Sequence, residues 1–352
     1  MKIEQLRKLL KEQQLDALVI TNPYNRRYMT NFTGSAGTAI VSQDDAVFIT
    51  DFRYVAQANV QLSGYRIVQH TGTMIQEVAN QVKEMKIDTL GFEKEDLSYS
   101  QFEVYNKHVQ AKLVPVAGLI EKLRIIKTPE EIEVLKQAAA IADAAFVYIC
   151  SVIQAGKTEL EIANELEFFM RKQGATSSSF DIIVASGERG ALPHGVASDK
   201  VIETGDLVTM DYGALYNGYI SDITRTVAIG EPSAKLREIY EVTLRAQELG
   251  VEQIKPGMTG IEADAITRDY IKSKGYGDAF GHSTGHGIGM EVHEAPALSS
   301  RSETVLVPNM AVTVEPGIYL PGIGGVRIED DILITETGNE RLTKSTKELL
   351  IL

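Results

Sequence analysis

Asn217-Gly218 lies inside Met210–Val227, MDYGALYNGYISDITRTV, and it restricts the fold of this stretch to a narrow choice. A two-residue hairpin turn needs positive φ at both positions, and Asn-Gly supplies it at least cost. Closing the turn there puts Asp211 opposite Thr224 and Gly213 opposite Asp222. Asp211 and Asp222 then lie diagonally across one face of the hairpin, within reach of a common ion. Two carboxylates pointing together inside a domain repel each other unless a proton or a cation sits between them. The hairpin therefore asks for a metal, whereas on a solvent-facing hairpin the same pair would be ordinary surface acids.

A second domain is affordable in 352 residues, and a hydrophobic content of 44% with 24% charged residues describes an ordinary globular protein. The net charge of −13, without a Lys/Arg block, argues against a nucleic-acid surface. Cys150 is the only cysteine, so no intrachain disulfide forms; within AAFVYICSVI it reads as a small buried hydrophobe. The start, MKIEQLRKLLKEQQ, has no long apolar core of a signal peptide. The most apolar run, Ala138–Ile153, carries Asp143 and is too short to span a bilayer. A soluble protein of the reducing cytoplasm, with no membrane partner, is expected.

Ile3, Leu6, Leu9 and Leu10 recur at helical spacing, and LDALVIT, TAIVS, AVFIT and YRIVQ read as strands. Helical patterns such as YVAQANVQL, Met74–Lys86 and Tyr99–Val109 alternate with them, and Thr89–Phe92 is a further strand. This predicts an α/β domain over residues 1–122. Thr128, Pro129 and Glu131 form a capping box with proline in the first turn, opening a long helix and a second domain over 129–352.

The second domain repeats itself. VIQAGKTELEIANELEFFMRKQGA aligns with QIKPGMTGIEADAITRDYIKSKGY, pairing Gly156 with Gly257, Thr158 with Thr259 and Glu161 with Glu262. Each copy reads as helix, glycine turn, helix, followed by an apolar strand ending in acid-x-Gly: LVTMDYG and AVTVEPG. Asp211 thus has a counterpart in Glu315, and each is followed by a strand with another acid, Asp222 and Glu329. An α+β domain with two such halves facing across a pseudo-two-fold axis can build a site for two metal ions.

The inventory is Asp211, Asp222, Glu315 and Glu329 with at least one histidine from His194, His282, His286 and His293. Glycines at 281, 285, 287 and 289 make a helix unlikely in GHSTGHGIGMEVHE and leave its imidazoles on extended or looping backbone. The missing third glycine at 290, where Met stands, argues against a phosphate cradle. An oxygen-rich set with an imidazole suits paired Mn, Co, Fe or Zn rather than a structural zinc. Paired ions can polarise a carbonyl and activate water, and spare histidines can serve the oxyanion or the leaving nitrogen. Arg327, two residues before Glu329 on the same strand face, can orient that acid or bind a substrate carboxylate.

MDYG, SDITRT, GHGIGMEVHE, VEPG and GVRIEDD together resemble the pita-bread metallopeptidases, the superfamily of methionine aminopeptidase, aminopeptidase P and prolidase. NRRYMTNFTGSAGTAIV and TDFRYVAQA resemble the additional creatinase-like N-terminal domain of the aminopeptidase P and prolidase branch. The resemblance implies that Asp211 is a terminal ligand of one ion, that Asp222 and Glu329 bridge two, and that His286 and Glu315 hold the second. It implies two divalent ions, Mn²⁺ first and Co²⁺ or Zn²⁺ next, with Glu315 as candidate general base. His194, His282 and His293 would bind substrate or assist proton transfer, and Arg327 matches the arginine beside the bridging Glu. The implied reaction is hydrolysis of the bond before proline in short Xaa-Pro peptides, by a homodimer.

In HEAPAL, Ala297 stands about where prolidase-like members often carry an arginine for a dipeptide's carboxylate, which favours aminopeptidase P or mixed activity. Arg53 of DFRY is either directed toward a neighbour's site or held in a local salt bridge. Two other readings compete: a creatinase-like C–N hydrolase, and a pita-bread peptide-binding module without catalysis. Both lack the ligand set that is intact here.

Overall fold

Four consecutive buried residues in Ala17–Ile20 and five each in Thr38–Ser42 and Ala46–Thr50 can only be strands covered on both faces. A computed structural model describes residues 2–352 and divides the chain into two compact units, one reaching to Arg124 and the other spanning Ile125–Leu352.

In the first unit these strands lie in a six-stranded mixed sheet. Its order is Arg66–Gln69, Ala46–Thr50, Thr38–Ser42, Ala17–Ile20, Thr89–Glu93, Lys112–Val116. Thr38–Ser42 runs antiparallel to both neighbours, and the other pairings are parallel. Val19, Ile40, Val47 and Leu90 meet Val78 and Val82 of the Met74–Glu84 helix in one core. Thr73 and Ser98 open their helices with complete capping boxes. The Pro23–Thr30 helix and the Lys112–Val116 strand were not foreseen, because both are short and lack a clean period.

The second unit opens with the Pro129–Cys150 helix, capped reciprocally by Thr128 and Glu131. The repeat is visible in detail. Thr158 and Thr259 cap the helices Glu159–Lys172 and Gly260–Ser273, each with its Glu three residues on. Gly156 (φ 93°) and Gly257 (φ 89°) make the preceding turns in a conformation that a side chain would strain. Thr158 bridges to Val201 as Thr259 does to Val305.

Each half then contributes a long hairpin. Leu207–Tyr212 pairs with Ile223–Ala228, and the same register runs on through Leu215↔Ile220 to a turn at Asn217 (φ 48°) and Gly218 (φ 85°). The hairpin does not stay in one sheet. Its base joins Ile183–Ser186, while its tip, Ala214–Tyr216 with Tyr219–Ile220, joins Ser177–Ser178. The change comes at Gly213, where any Cβ would run into the Ser221 carbonyl oxygen. The second hairpin pairs Ala311–Val314 with Asp330–Ile334 and Gly317–Leu320 with Gly324–Arg327. Cys150 is only half-buried, against a core of Ile149, Ile162, Leu166 and Val208. Among the described residues no helix is long and apolar enough to cross a membrane.

Candidate metal centre

Asp222, Glu315 and Glu329 sit where the hairpin strands are interrupted, and Asp211 lies near the end of the Leu207–Tyr212 strand. Asp211 lies directly opposite Thr224. The pairs Val314↔Asp330 and Gly317↔Arg327 bracket Glu315 opposite Glu329. Glu329 therefore holds the ladder place that Thr224 holds in the first half, and Arg327 the place of Asp222. Asp222 and Glu329 are thus offset by two residues between the halves. A shift of two residues keeps a side chain on the same face of a strand, so both acids still reach the centre.

Ligand atoms of Asp222, His286 and Glu329 lie within 4.8 Å of one another. His286, in the middle of Gly285–Gly287, places Nε2 3.2 Å from Glu315 Oε1 and 3.8 Å from Asp222 Oδ2. Thr224 Oγ1 donates to Glu329 Oε2 at 2.6 Å, and Arg327 Nη2 donates to Asp211 Oδ2. Arg327 also donates to Thr224 Oγ1, Tyr319 Oη and Pro193 O, and the acid it holds is Asp211.

Burial pushes Asp222 and Glu329 well above the usual carboxylate range, and neighbouring acids push the same way. Burial raises Asp211 too, against the attraction of Arg327. Glu315 goes the other way: burial would raise it, but the His286 contact and the cations around it hold it down to about 2. His286 is raised although burial opposes its charge, because Glu315 faces it.

Asp211 Oδ1, Asp222 Oδ1 and Glu329 Oε1 are buried without a protein hydrogen-bond partner. A buried carboxylate oxygen left so is costly, and divalent cations among these oxygens and His286 would satisfy all three. The residues fit the ions that the motifs imply.

The remaining histidines are spread around this cluster. The His293 ring stands edge-on to His286, centroids 4.4 Å apart, and burial with the neighbouring imidazoles lowers its pKa. His194 is exposed on the loop after Ile183–Ser186 and is close enough to be felt by His293. His282 has both ring nitrogens engaged, Nδ1 with Ser283 O and Nε2 with Tyr319 Oη, each at 2.8 Å, and burial lowers its pKa. Arg53 makes a two-pronged salt bridge to Asp51.

Sequence reasoning missed three groups. Tyr319 joins His282 to Arg327, and its only sequence trace is the glycine on either side of its ring: a Cβ at Gly317 or Gly325 would crowd it. Asp331, in the acid run after Arg327, accepts the Asp222 N–H at 2.9 Å. Glu294 Oε1 accepts the N–H groups of Met290 and Glu291 and so ties down the loop before His293, while Lys127 Nζ lies 3.5 Å from Oε2.

A family model described as metallopeptidase family M24 matches residues 133–336, and one described as the creatinase/prolidase N-terminal domain matches residues 2–126. The chain belongs to metallopeptidase family M24. It is a metallopeptidase, and the family implies divalent metal ions. A solved structure of the Xaa-Pro dipeptidase from Bacillus anthracis is 65% identical with a TM-score of 0.99, covering 100% of this chain and 99% of that one. The X-Pro aminopeptidase from Thermotoga maritima is 41% identical with a TM-score of 0.93, covering 100% of both. The Xaa-Pro dipeptidase of Pyrococcus furiosus is 46% identical over 99% of each chain. The architecture is the creatinase-like N-terminal domain followed by the pita-bread catalytic fold.

Proposed function

We propose that this M24 peptidase hydrolyses the peptide bond before proline in short peptides, with Xaa-Pro dipeptides as preferred substrates. The observation that carries the reading is the convergence of Asp222, Glu315 and Glu329 on His286, with Asp211 beside Asp222 and three carboxylate oxygens unpartnered. The names of the relatives at 65% and 46% identity support the dipeptide preference. Ala297 in place of an arginine favours a second reading, release of an N-terminal residue from longer Xaa-Pro peptides, as the name of the Thermotoga maritima relative suggests.

Asp211, Asp222, His286, Glu315 and Glu329 would hold two divalent ions, and Mn²⁺ suits a set of four carboxylates and one imidazole. When bound, such ions supply Lewis acidity toward the peptide carbonyl and the attacking water. Glu315, kept ionised by its surroundings, can take a proton from that water. His293, whose pKa is lowered, stays neutral at pH 7 and can donate to the carbonyl oxygen as negative charge develops. The leaving nitrogen of proline carries no hydrogen and must be protonated to depart, and the exposed His194 is suited to deliver that proton. Tyr319 and Arg327 hold His282 and Asp211 in place. A cytoplasmic homodimer belongs to the same proposal, and sedimentation would check the dimer.

The test is hydrolysis by metal-stripped protein reconstituted with Mn²⁺, Co²⁺ or Zn²⁺, offered Ala-Pro, Ala-Pro-Ala and Ala-Ala-Ala. The expected result is metal-dependent turnover, fastest on Ala-Pro, with Ala-Ala-Ala intact. Preference for Ala-Pro-Ala would establish the second reading, and cleavage of Ala-Ala-Ala alone would refute proline specificity.

A further inference from the structure

The first turn of the Glu159–Lys172 helix holds an acid that none of these roles uses. Glu159 is fully buried, and its carboxylate gathers five donors. Oε1 accepts the Ser186 N–H at 2.8 Å and the Ser186 hydroxyl at 2.9 Å. Oε2 accepts the Arg189 guanidinium, the Ser198 N–H at 3.1 Å and the Ser198 hydroxyl at 2.7 Å. These donors come from the entry, the middle and the exit of one segment, residues 186–198, whose exposed histidine is His194.

Within the segment the chain is tied to itself. Arg189 Nη2 donates to Val196 O at 2.9 Å, and the Gly195 N–H donates to Leu192 O at 3.0 Å. Pro193 O, immediately before His194, accepts from Arg327 Nη1 at 3.0 Å. The His194 loop is thus pinned at its base by Glu159 and near its tip by the arginine that holds Asp211.

The repeat shows that the helix does not need this acid. Thr158 and Thr259 cap equivalent helices with Glu161 and Glu262, yet the next residue is Glu159 in one half and Gly260 in the other. At Gly260 a Cβ would run into the Ala297 carbonyl oxygen and the Ser302 side chain. The acid is confined to the half that carries His194. A carboxylate this deeply buried is tolerated only when its oxygens are well hydrogen-bonded, and all five of these bonds go to the loop.

We propose that Glu159 is a positioning residue: it sets the His194 imidazole at the distance from the carboxylate cluster that the reaction requires. The proposal rests on the peptidase reading of the site and adds how one of its histidines is placed.

Glu159→Gln keeps the volume but turns one acceptor oxygen into a donor facing donors. In the Mn²⁺-reconstituted enzyme acting on Ala-Pro, the expected loss in kcat/KM is on the order of 10- to 100-fold, the scale of a misplaced catalytic group. His194→Ala should lose a similar factor, and the double variant should fall no lower than His194→Ala alone. Metal stoichiometry should not change, and amide hydrogen exchange should accelerate across residues 186–198. Ser198→Ala, which removes a single donor, should shift exchange and rate the same way by less, and it carries the test if Glu159→Gln does not fold. Losses that multiply in the double variant, or unchanged exchange at 186–198, would overturn the proposal. Exchange is read without turnover, so wild-type protein inactive on every peptide would sink the peptidase reading while the clamp is still judged.

Discussion

Thr224 and Glu329 are bound to each other twice: the threonine hydroxyl donates to Oε2 at 2.6 Å, and the Glu329 N–H donates to the Thr224 carbonyl at 3.1 Å. The two residues hold matching ladder places in the two hairpins, so the halves of the domain are joined at this pair. The hydroxyl also accepts from Arg327 Nε at 3.1 Å, so one small side chain orients an acid and the arginine that holds another.

Thr224→Val keeps the shape and the backbone bond but removes both bonds of the hydroxyl, leaving a buried carboxylate oxygen and a guanidinium N–H unpaired. The expected cost is about 1–3 kcal/mol by urea unfolding. Metal affinity should fall about 10- to 100-fold, as is usual when a partner of a ligand is lost. Affinity within twofold of wild type in a Mn²⁺ titration would show that Glu329 needs no such support.

The stripped protein should lose stability as pH rises. Burial raises the folded pKa values of Asp211, Asp222 and Glu329 above their unfolded ones, so the folded state binds extra protons in between. Stability from these groups is fully present below the unfolded carboxylate values and is lost as pH climbs through the folded ones. His286, also raised, acts in the same direction. The lowered His282 and His293 oppose it only near and below their ordinary value of 6.5. Above about pH 6.5, where the lowered histidines no longer oppose it, each carboxyl still protonated should cost about 1.4 kcal/mol per pH unit. Chemical denaturation in chelator above that pH should show a fall, and saturating Mn²⁺ should abolish it. A rising curve in chelator would contradict the burial argument.

The Ser283 carbonyl determines the tautomer of His282, and Tyr319 complements it. Arg327 can only donate, so the Tyr319 oxygen accepts from it and the Tyr319 O–H is free to donate to His282 Nε2. Ser283 O can only accept, which requires hydrogen on Nδ1. Nitrogen-15 spectra of labelled protein at pH 7 should show His282 neutral with Nδ1 protonated. Tyr319→Phe should release Nε2 and cost about 1–3 kcal/mol for the guanidinium N–H left short of a partner. An Nε2–H tautomer in wild type would reverse the assignment.

What the sequence made legible was local. Asn217-Gly218 specifies its turn and thereby the Asp211–Thr224 register, and the capping residues Thr128, Thr158 and Thr259 announce their helices. The acids and the repeat follow from spacing, whereas the choice of His286 among four histidines came from the family resemblance. Tyr319 could not be read in this way, because its importance comes from His282, which lies far away along the chain. The acid held by Arg327 was hidden for a similar reason: strand periodicity offered Glu329 on its own strand, or a substrate carboxylate, but the guanidinium reaches Asp211 in the other half. Nor could the offset between Asp222 and Glu329 be seen before the second hairpin's register was known.

Two glycines of the histidine-bearing loop separate close approach from mere looseness. At Gly285 a Cβ would run into the Thr313 carbonyl carbon and oxygen, backbone that cannot swing aside as a side chain would. Thr313 Oγ1 receives the His286 N–H at 3.1 Å and donates to Glu315 Oε1 at 3.2 Å, so displacing that strand moves two proposed ligands together. At Gly281 nothing lies within 4 Å of an added Cβ, and no left-handed φ stands in the way. Gly285→Ala should therefore destabilise by about 1–3 kcal/mol as an overpacked core site does, or more if the strand cannot shift. It should also weaken Mn²⁺ binding. Gly281→Ala should stay within about 0.5 kcal/mol of wild type, as substitutions outside packed sites do. Paired urea melts and Mn²⁺ titrations decide the matter. Equal effects from the two substitutions would mean that this loop is held by flexibility at its glycines, and that strand-to-strand contact at Gly285 does not set the place of His286.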